Sequence, residues 1–211
     1  MIDFSLGQKI ILWLVPLIFA ITVHETAHGW VAYRCGDPTA KLLGRLTLNP
    51  IKHIDPLGTL VVPGLLLWLG GFVFGWAKPV PVTWRNLRNP RRDMALVAAA
   101  GPFSNFVMAF FWVAILKLAV SVHNAPFAYM AQIGVSINLV LMLLNLLPIP
   151  PLDGSRILAS LLSPVMAYRL NQMEIYGFFI LVLFLASGAF SRLIGPVLSQ
   201  LQSLFLSIFG L

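Results

Sequence analysis

The stretch Ile21-Thr22-Val23-His24-Glu25-Thr26-Ala27-His28-Gly29 decides the fold, because it sets a His-Glu-x-x-His pattern inside a long apolar run. On a helix, two histidines four positions apart lie on one face, about 6 Å apart along the axis. Both imidazoles can then bind one zinc ion, with Glu25 placed to act as general base on the zinc-bound water. The apolar run, from Ile10 to Ala32, is also long enough to cross a membrane, so the sequence indicates a metal site inside the bilayer.

The composition of the 211-residue chain excludes an ordinary soluble domain. Hydrophobic residues make up 59% of the chain and charged residues 10%, against roughly 25% charged in soluble proteins. The formal net charge is +7, but the Lys and Arg residues lie in short connections between apolar runs, which is typical of membrane proteins. We therefore expect a lipid bilayer as the neighbour and no nucleic acid. Cys35 is the only cysteine, which excludes an intrachain disulfide and a thiolate-rich metal site.

Apolar segments separated by polar connections predict an all-α polytopic membrane protein with about five to six transmembrane helices. The segments lie at about 8–33, 94–122, 127–147, 175–187 and 193–211. The last one carries several serines and glutamines, so it either spans the bilayer or lies partly at the interface. We expect a single integral-membrane domain over 1–211, with a catalytic core at about 8–165 and C-terminal helices at about 174–211.

A further apolar stretch, 57–76, is interrupted by Pro-Gly and Gly-Gly pairs. The distribution of Lys and Arg between the two sides of the membrane, which we call charge parity, indicates whether this stretch crosses the bilayer. If it crossed fully, the basic connections 34–56 and 77–93 would lie on opposite sides, against the positive-inside bias. If it enters and returns, eleven of the fourteen Lys and Arg residues lie on one side. We therefore predict a re-entrant or extended membrane-associated segment near 57–84.

A hydrolytic zinc site needs three protein ligands and an open position, so His24 and His28 require a partner. Asp153 is the best candidate, because prolines end the helix before it and the glycine after it permits a turn. Charge parity places it at the same membrane face as the two histidines. On local sequence alone, a carboxylate that caps the following helix is an equal interpretation. The remaining histidines, His53 and His123, are expected to be structural.

Other residues invite a functional role, and each has a simpler interpretation. Asn145, near the end of its apolar helix, could donate to an oxyanion, but an intramembrane amide forms a helix–helix hydrogen bond at least as often. Asn105 has the same ambiguity, and Gly101 with Pro102 is expected to serve close packing at a helix start. The extended stretch Lys78-Pro79-Val80-Pro81-Val82-Thr83 is either a strand edge that binds an unwound substrate or a surface turn.

Three motifs, in this order, resemble the site-2 protease family of intramembrane zinc metalloproteases, in its compact prokaryotic branch without PDZ or CBS domains. They are His24-Glu25-Thr26-Ala27-His28, Gly101-Pro102-Phe103-Ser104-Asn105 and Asn145-Leu146-Leu147-Pro148-Ile149-Pro150-Pro151-Leu152-Asp153-Gly154. The stretch from Phe74 to Val82 is similar to that branch too, and the resemblance covers about residues 10–165. It implies zinc on His24, His28 and Asp153, with Glu25 as catalytic base and Asn145 close to the active site. It also implies a cell-membrane protein whose active site is reached from the cytoplasmic side.

The expected function is hydrolysis of peptide bonds in or near transmembrane segments of membrane proteins, with one Zn²⁺ per chain. Two rival functions are a membrane metal carrier that uses the same three ligands and a catalytically silent scaffold that binds membrane regulators. Glu25 discriminates among them, because hydrolysis requires a base there whereas metal binding does not. The sequence leaves the substrate, any regulatory partner and the oligomeric state open.

Overall fold

The computed structural model of the chain describes residues 4–62, 64–65 and 75–211, and within these ranges the protein is helical with no β-strand. Short 3₁₀ and π-helical turns at Pro50–His53, Pro56–Val61 and Trp84–Asn86 lie in the long connection between the first and second spans. The α-helices are α1 (Leu6–Arg34), α2 (Thr39–Leu42), α3 (Pro90–Ser121), α4 (Ala125–Asn145), α5 (Asp153–Leu161), α6 (Pro164–Gln172), α7 (Glu174–Ala186) and α8 (Ala189–Ile208).

Three helices, α1, α3 and α4, are long and apolar enough to cross a bilayer. Helices α6 and α7 meet at an angle of 61° and would add a fourth span if they were counted as one broken helix. The predicted all-α membrane protein is confirmed, but the described residues hold three to four candidate spans, fewer than the expected five to six. The expected spans that are not seen lie at the C terminus. Helix α7 has only 13 residues, which is too short to cross a bilayer alone, and α8 carries serines, glutamines and Arg192.

The long helices begin where local sequence satisfies their first N–H groups. The Ser5 hydroxyl accepts from the Gln8 N–H, and the Gln8 side chain accepts from the Ser5 N–H, so α1 starts with a capping box. The Asn124 side chain accepts from the Phe127 N–H at the start of α4. Prolines occupy the first turns of α3 and α4, where a missing N–H costs little.

The core lies between α3 and α4, where Trp112 packs against Gly134. A Cβ atom built on Gly134 would lie 2.3 Å from Cδ2 of Trp112, so only glycine permits this approach. Phe205 of α8 is also buried there, against the rings of Phe106 and Phe110. The buried apolar cluster comprises Ala109, Trp112, Val113, Ala131, Val135, Leu139, Met142 and Phe205.

The two ends of the apolar stretch 57–76 lie side by side. The Trp76 N–H donates to the Gly58 carbonyl at 3.0 Å, and the Thr59 hydroxyl donates to the Trp76 carbonyl at 3.0 Å. A full span would separate its ends by about 30 Å. The chain therefore comes back to the side from which it left, as predicted for a re-entrant segment, while residues 63 and 66–74 lie outside the described part.

Candidate metal centre

Helices α1 and α5 bring His24, His28 and Asp153 to one point. The Nε2 atoms of the two histidines lie 3.0 Å apart, and each lies 3.3 Å from Oδ2 of Asp153. All three residues are buried: His24 and Asp153 are 8% exposed and His28 is 9% exposed. The N-cap of α5 is Leu152, so Asp153 does not serve as the cap that was its alternative interpretation.

The outer nitrogen of each imidazole donates a hydrogen bond. Nδ1 of His28 lies 2.7 Å from the carbonyl oxygen of Val97, which can only accept, so this nitrogen carries the proton. Nδ1 of His24 lies 2.6 Å from Oδ1 of Asn105. In a neutral imidazole the other nitrogen then holds a lone pair. Two lone pairs and a carboxylate oxygen therefore face one another, and this arrangement is repulsive unless a cation lies between them.

The spacing and chemistry of these three atoms fit zinc. Ligands about 2.0–2.1 Å from a tetrahedral ion lie about 3.3 Å from one another, which is close to the separations observed here. Oδ2 of Asp153 is buried without a hydrogen-bond partner, as expected of a ligand atom.

Gly101 allows α3 to approach both imidazoles. A Cβ atom at this position would lie 2.4 Å from Nε2 of His28 and 2.5 Å from Cε1 of His24. The packing role expected of Gly101 is therefore seen, although it lies in the middle of α3 and not at a helix start. Pro102 follows it inside the helix and has no N–H to donate to the carbonyl four residues earlier.

Glu25 is held by residues 75–83, a segment without helix or strand that we call the strap. Oε2 of Glu25 accepts a hydrogen bond from the Val80 N–H at 2.8 Å. The Val80 side chain is buried against α1, where a Cβ atom on Gly29 would lie 3.0 Å from its Cγ1. The strap therefore lies directly over the residue predicted to be the catalytic base, and sequence reasoning did not foresee this contact.

The rest of the strap is fastened by the connection that precedes it. The Lys78 N–H donates to the His53 carbonyl at 2.9 Å, and Nη2 of Arg45 donates to the Lys78 carbonyl at 2.9 Å. At its far end, the Thr83 N–H donates to Oδ2 of Asp37 at 2.6 Å. These bonds fix the backbone of the strap on both sides of Val80.

Asp37 is a buried anchor that sequence reasoning missed. Besides Thr83, it accepts hydrogen bonds from the N–H and hydroxyl of Thr39 and from Nδ2 of Asn86, which lies 2.9 Å away. Burial raises the pKa of the Asp37 carboxyl, but these hydrogen bonds together hold it below its ordinary value. A detectable signal was present, since the side chain of an Asp in a turn commonly accepts from the backbone N–H two residues later, which here is that of Thr39.

Among the described residues, the hydrogen bonds of Asn145 and His53 go to backbone carbonyls and not to the three converging side chains. Nδ2 of Asn145 donates to the Leu141 carbonyl of its own helix at 2.9 Å, so this amide is engaged within α4. Nε2 of His53 lies 2.9 Å from the Thr47 carbonyl oxygen, as expected of a structural histidine. His123 lies in the turn between α3 and α4 with a φ of 53°.

Comparison with known proteins identifies similar chains across most of the sequence. Residues 12–124 and 113–187 match the family described as peptidase family M50. YwhC of Bacillus subtilis strain 168, named as a zinc metalloprotease, is 41% identical over 203 residues, which cover 93% of this chain and 90% of that protein. Rip2 of Mycolicibacterium smegmatis, also named as a zinc metalloprotease, is 33% identical over 184 residues, covering 86% of this chain and 69% of Rip2.

A more distant match is the regulator of sigma-E protease RseP of Escherichia coli K12. It is 35% identical over 105 residues, which cover 47% of this chain and 23% of RseP. No solved structure matches the chain.

Proposed function

The chain belongs to peptidase family M50, and we propose that it cuts membrane proteins in or near their transmembrane segments. In this proposal Glu25 is the general base. It is a membrane zinc metalloprotease, and its family acts on membrane-protein substrates within the bilayer. The observation that carries the proposal is the convergence of His24, His28 and Asp153, two of them on a helix apolar enough to span.

We assign the zinc ligands to Nε2 of His24, Nε2 of His28 and Oδ2 of Asp153. When bound there, zinc supplies a Lewis acid that lowers the pKa of water and polarises a peptide carbonyl. Glu25 follows His24 directly, and one residue along a helix turns the side chain by about 100°. We therefore place the Glu25 carboxylate beside the helix face that carries the two histidines, and assign it the role of taking a proton from the attacking water and giving it to the leaving amine.

The hydrogen bond from Val80 orients this base. It holds Oε2 of Glu25 and leaves Oε1 as the oxygen that we assign to the proton transfer. Asn145 stays a candidate donor to the oxyanion, but its amide would first have to leave the Leu141 carbonyl. An Asn145→Ala variant tests this role, because loss of an oxyanion donor lowers kcat about 10²–10³-fold.

We propose that the substrate lies along the strap residues Lys78, Pro79, Val80, Pro81 and Val82. A transmembrane helix must unwind before cleavage, which exposes its N–H groups. The two prolines have no N–H. The N–H groups of Lys78 and Val80 already donate hydrogen bonds, to the His53 carbonyl and to Glu25. What these residues offer an unwound segment is therefore mainly carbonyl oxygens, which are the partners that exposed N–H groups need. The carbonyls of Lys78 and Pro79 already accept from Arg45, so those of Val80, Pro81 and Val82 are the main candidates.

The site is proposed to open toward the cytoplasm. His24 and His28 lie in the C-terminal part of α1, immediately before the basic connection 34–56. Asp153 begins α5, just beyond the end of α4 and close to Arg156. Excess Lys and Arg mark the cytoplasmic face of membrane proteins, which supports this orientation.

The decisive experiment compares the full chain with its Glu25→Gln variant in lipid nanodiscs, on a panel of single-span membrane substrates. We expect Glu25→Gln to keep stoichiometric zinc and to lose about 10²–10⁴-fold in cleavage rate. Glu174→Gln is the matched control, because it changes an exposed acid at the start of α7 in the same way.

Equal cleavage by wild type and Glu25→Gln would show that Glu25 is not the base. Zinc uptake into vesicles by a wild type that cuts none of the substrates would favour the metal carrier.

A further inference from the structure

Two asparagines buried inside apolar helices connect α4 to His24. Nδ2 of Asn138 donates to the Gly134 carbonyl one turn earlier at 2.8 Å, and Nδ2 of Asn105 donates to Oδ1 of Asn138 at 2.9 Å. Oδ1 of Asn105 in turn lies 2.6 Å from Nδ1 of His24. Both asparagines are 0% exposed. An unpaired amide at such positions would cost about 1–3 kcal/mol, and here the nitrogen and the oxygen of both amides have partners.

The chain of hydrogen bonds can run in only one direction. The Gly134 carbonyl can only accept, so Asn138 must present its NH₂ group to it and its oxygen to Asn105. Asn105 must then present its own NH₂ group to Asn138, and the Ala20 carbonyl, 3.4 Å from the same nitrogen, enforces this orientation. The oxygen of Asn105 therefore faces His24, whose Nδ1 must carry the proton. Nε2 of His24 is left as the lone-pair nitrogen that faces Asp153.

We propose that Asn105 and Asn138 are positioning residues that hold His24 in the tautomer able to bind the metal. If the chain is broken, Nδ1 of His24 loses its fixed acceptor, and the tautomer with a proton on Nε2, which cannot bind a metal, becomes accessible. A helix that contributes no ligand, α4, would thus set the metal affinity of α1. The metal part of this inference rests on the proposed zinc site, whereas the tautomer belongs to the metal-free protein and is measured separately.

The test uses the full chain in nanodiscs, with Asn105→Leu and Asn138→Leu as variants. Zn²⁺ affinity is measured by competition with a chromophoric chelator, and the His24 tautomer by ¹⁵N NMR of the metal-free protein labelled at histidine. We expect Asn105→Leu to weaken Zn²⁺ binding about 10–100-fold and Asn138→Leu to weaken it less, by several-fold. Both variants should show a mixture of His24 tautomers where wild type shows the Nδ1–H form.

Two further variants of Asn138 keep the test informative. Asn138→Ser bonds back to the Gly134 carbonyl but does not reach Asn105, so it breaks the chain with a smaller change if the leucine variant does not fold. Asn138→Asp can accept from Asn105 and, when protonated, donate to Gly134. It should therefore restore the wild-type tautomer and Zn²⁺ affinity.

Ser136→Ala is the matched control, because it removes a different bond of α4, the one that Ser136 accepts from Gln202 of α8 at 3.0 Å. Its Zn²⁺ affinity should equal that of wild type. If the asparagines only hold helices together, Asn138→Leu and Ser136→Ala lose thermal stability alike, and affinity and tautomer stay unchanged, which would overturn the inference. A wild type that binds no Zn²⁺ would instead refute the proposed function, and the NMR comparison would still decide the tautomer.

Discussion

The half of the site that is proposed to bind metal, which we call the metal half, and the half that holds Glu25, the proposed base, which we call the base half, are built in opposite ways. His24, His28 and Asp153 come from helices, and both imidazoles are fixed by acceptors on α3, a side-chain amide for one and a backbone carbonyl for the other. Glu25 lies on the same turn of α1 but is held by one N–H from the irregular strap. The strap in turn depends on side chains from the connection around Asp37.

The difference separates two requirements of a membrane protease. The two histidines among the proposed metal ligands are oriented by buried contacts to α3, so that half is preorganised. The base is oriented by a segment that lies where a substrate is proposed to bind. Metal affinity and base positioning should therefore respond to different substitutions, and the following variants test this separation.

Gly101→Ala should have the largest effect, and it should fall on the metal half. The new Cβ atom would lie 2.4 Å from Nε2 of His28, so α3 must move away from the imidazoles. We expect loss of stoichiometric zinc and, with it, of detectable proteolysis, measured by metal analysis and substrate cleavage. Gly195→Ala in α8 is the control, because nothing lies within 4 Å of the position that its Cβ would take. Normal zinc content in Gly101→Ala would disprove the close approach of α3.

Asp37→Asn should damage the base half and leave the metal half intact. An amide replaces a buried carboxylate that accepts several hydrogen bonds, so the free energy of unfolding should fall by about 3 kcal/mol. Denaturant unfolding in detergent measures the loss, and chelator competition should show unchanged Zn²⁺ affinity. Asp55→Asn is the control, since Asp55 caps a helical turn and asparagine caps equally well. A parallel loss of Zn²⁺ affinity would mean that the two halves are coupled.

The pH dependence of stability should carry the signature of Asp37. Its pKa is lowered in the folded protein, so its contribution is complete above the unfolded pKa of about 3.9 and is lost as the pH falls toward the folded pKa. The difference in melting temperature between wild type and Asp37→Asn should stay constant near neutral pH and shrink below about pH 4. A difference that grows on acidification has the opposite sign and would refute this assignment.

Arg45→Met should have the smallest effect. Arg45 donates to the carbonyls of Lys78 and Pro79, at 2.9 and 3.3 Å, from a partly exposed position. Loss of these bonds should cost about 1 kcal/mol, which raises KM for a membrane substrate about fivefold if it acts through the strap. Lys52→Met removes an exposed charge from the same connection and serves as control. A change in kcat without a change in KM would indicate that the strap acts on the base and not on the substrate.

Much of the metal half could be predicted from sequence, because its information is local or topological. The i and i+4 spacing places His24 and His28 on one helix face, and the charge parity of the connections correctly brought Asp153 to the same point. The polar residues inside apolar helices were visible as well. Their partners were not, so Asn145 was favoured for a role in catalysis, whereas it is Asn105 that contacts His24.

The base half could be predicted only in outline. The prolines indicated that residues 78–83 avoid helix, which is correct, but no spacing rule connects Val80 to Glu25, 55 positions earlier. Such a contact depends on how a long irregular connection folds back over α1. Within the described residues, the number of spans is lower than expected for a related reason, since hydropathy alone does not separate a short helix such as α7 from one that crosses the membrane.

The hydrogen bond between Trp76 and Gly58 also bears on how this protein can change over evolution. Because the chain leaves and re-enters the site region at neighbouring points, the distance between these points does not depend on how many residues lie between them. The entropy of closing a loop rises only slowly with its length, by about 0.6 kcal/mol per doubling. Insertions or deletions between Thr59 and Trp76 should therefore be tolerated without displacing the strap, which makes this the place where a lineage could acquire or lose an accessory segment.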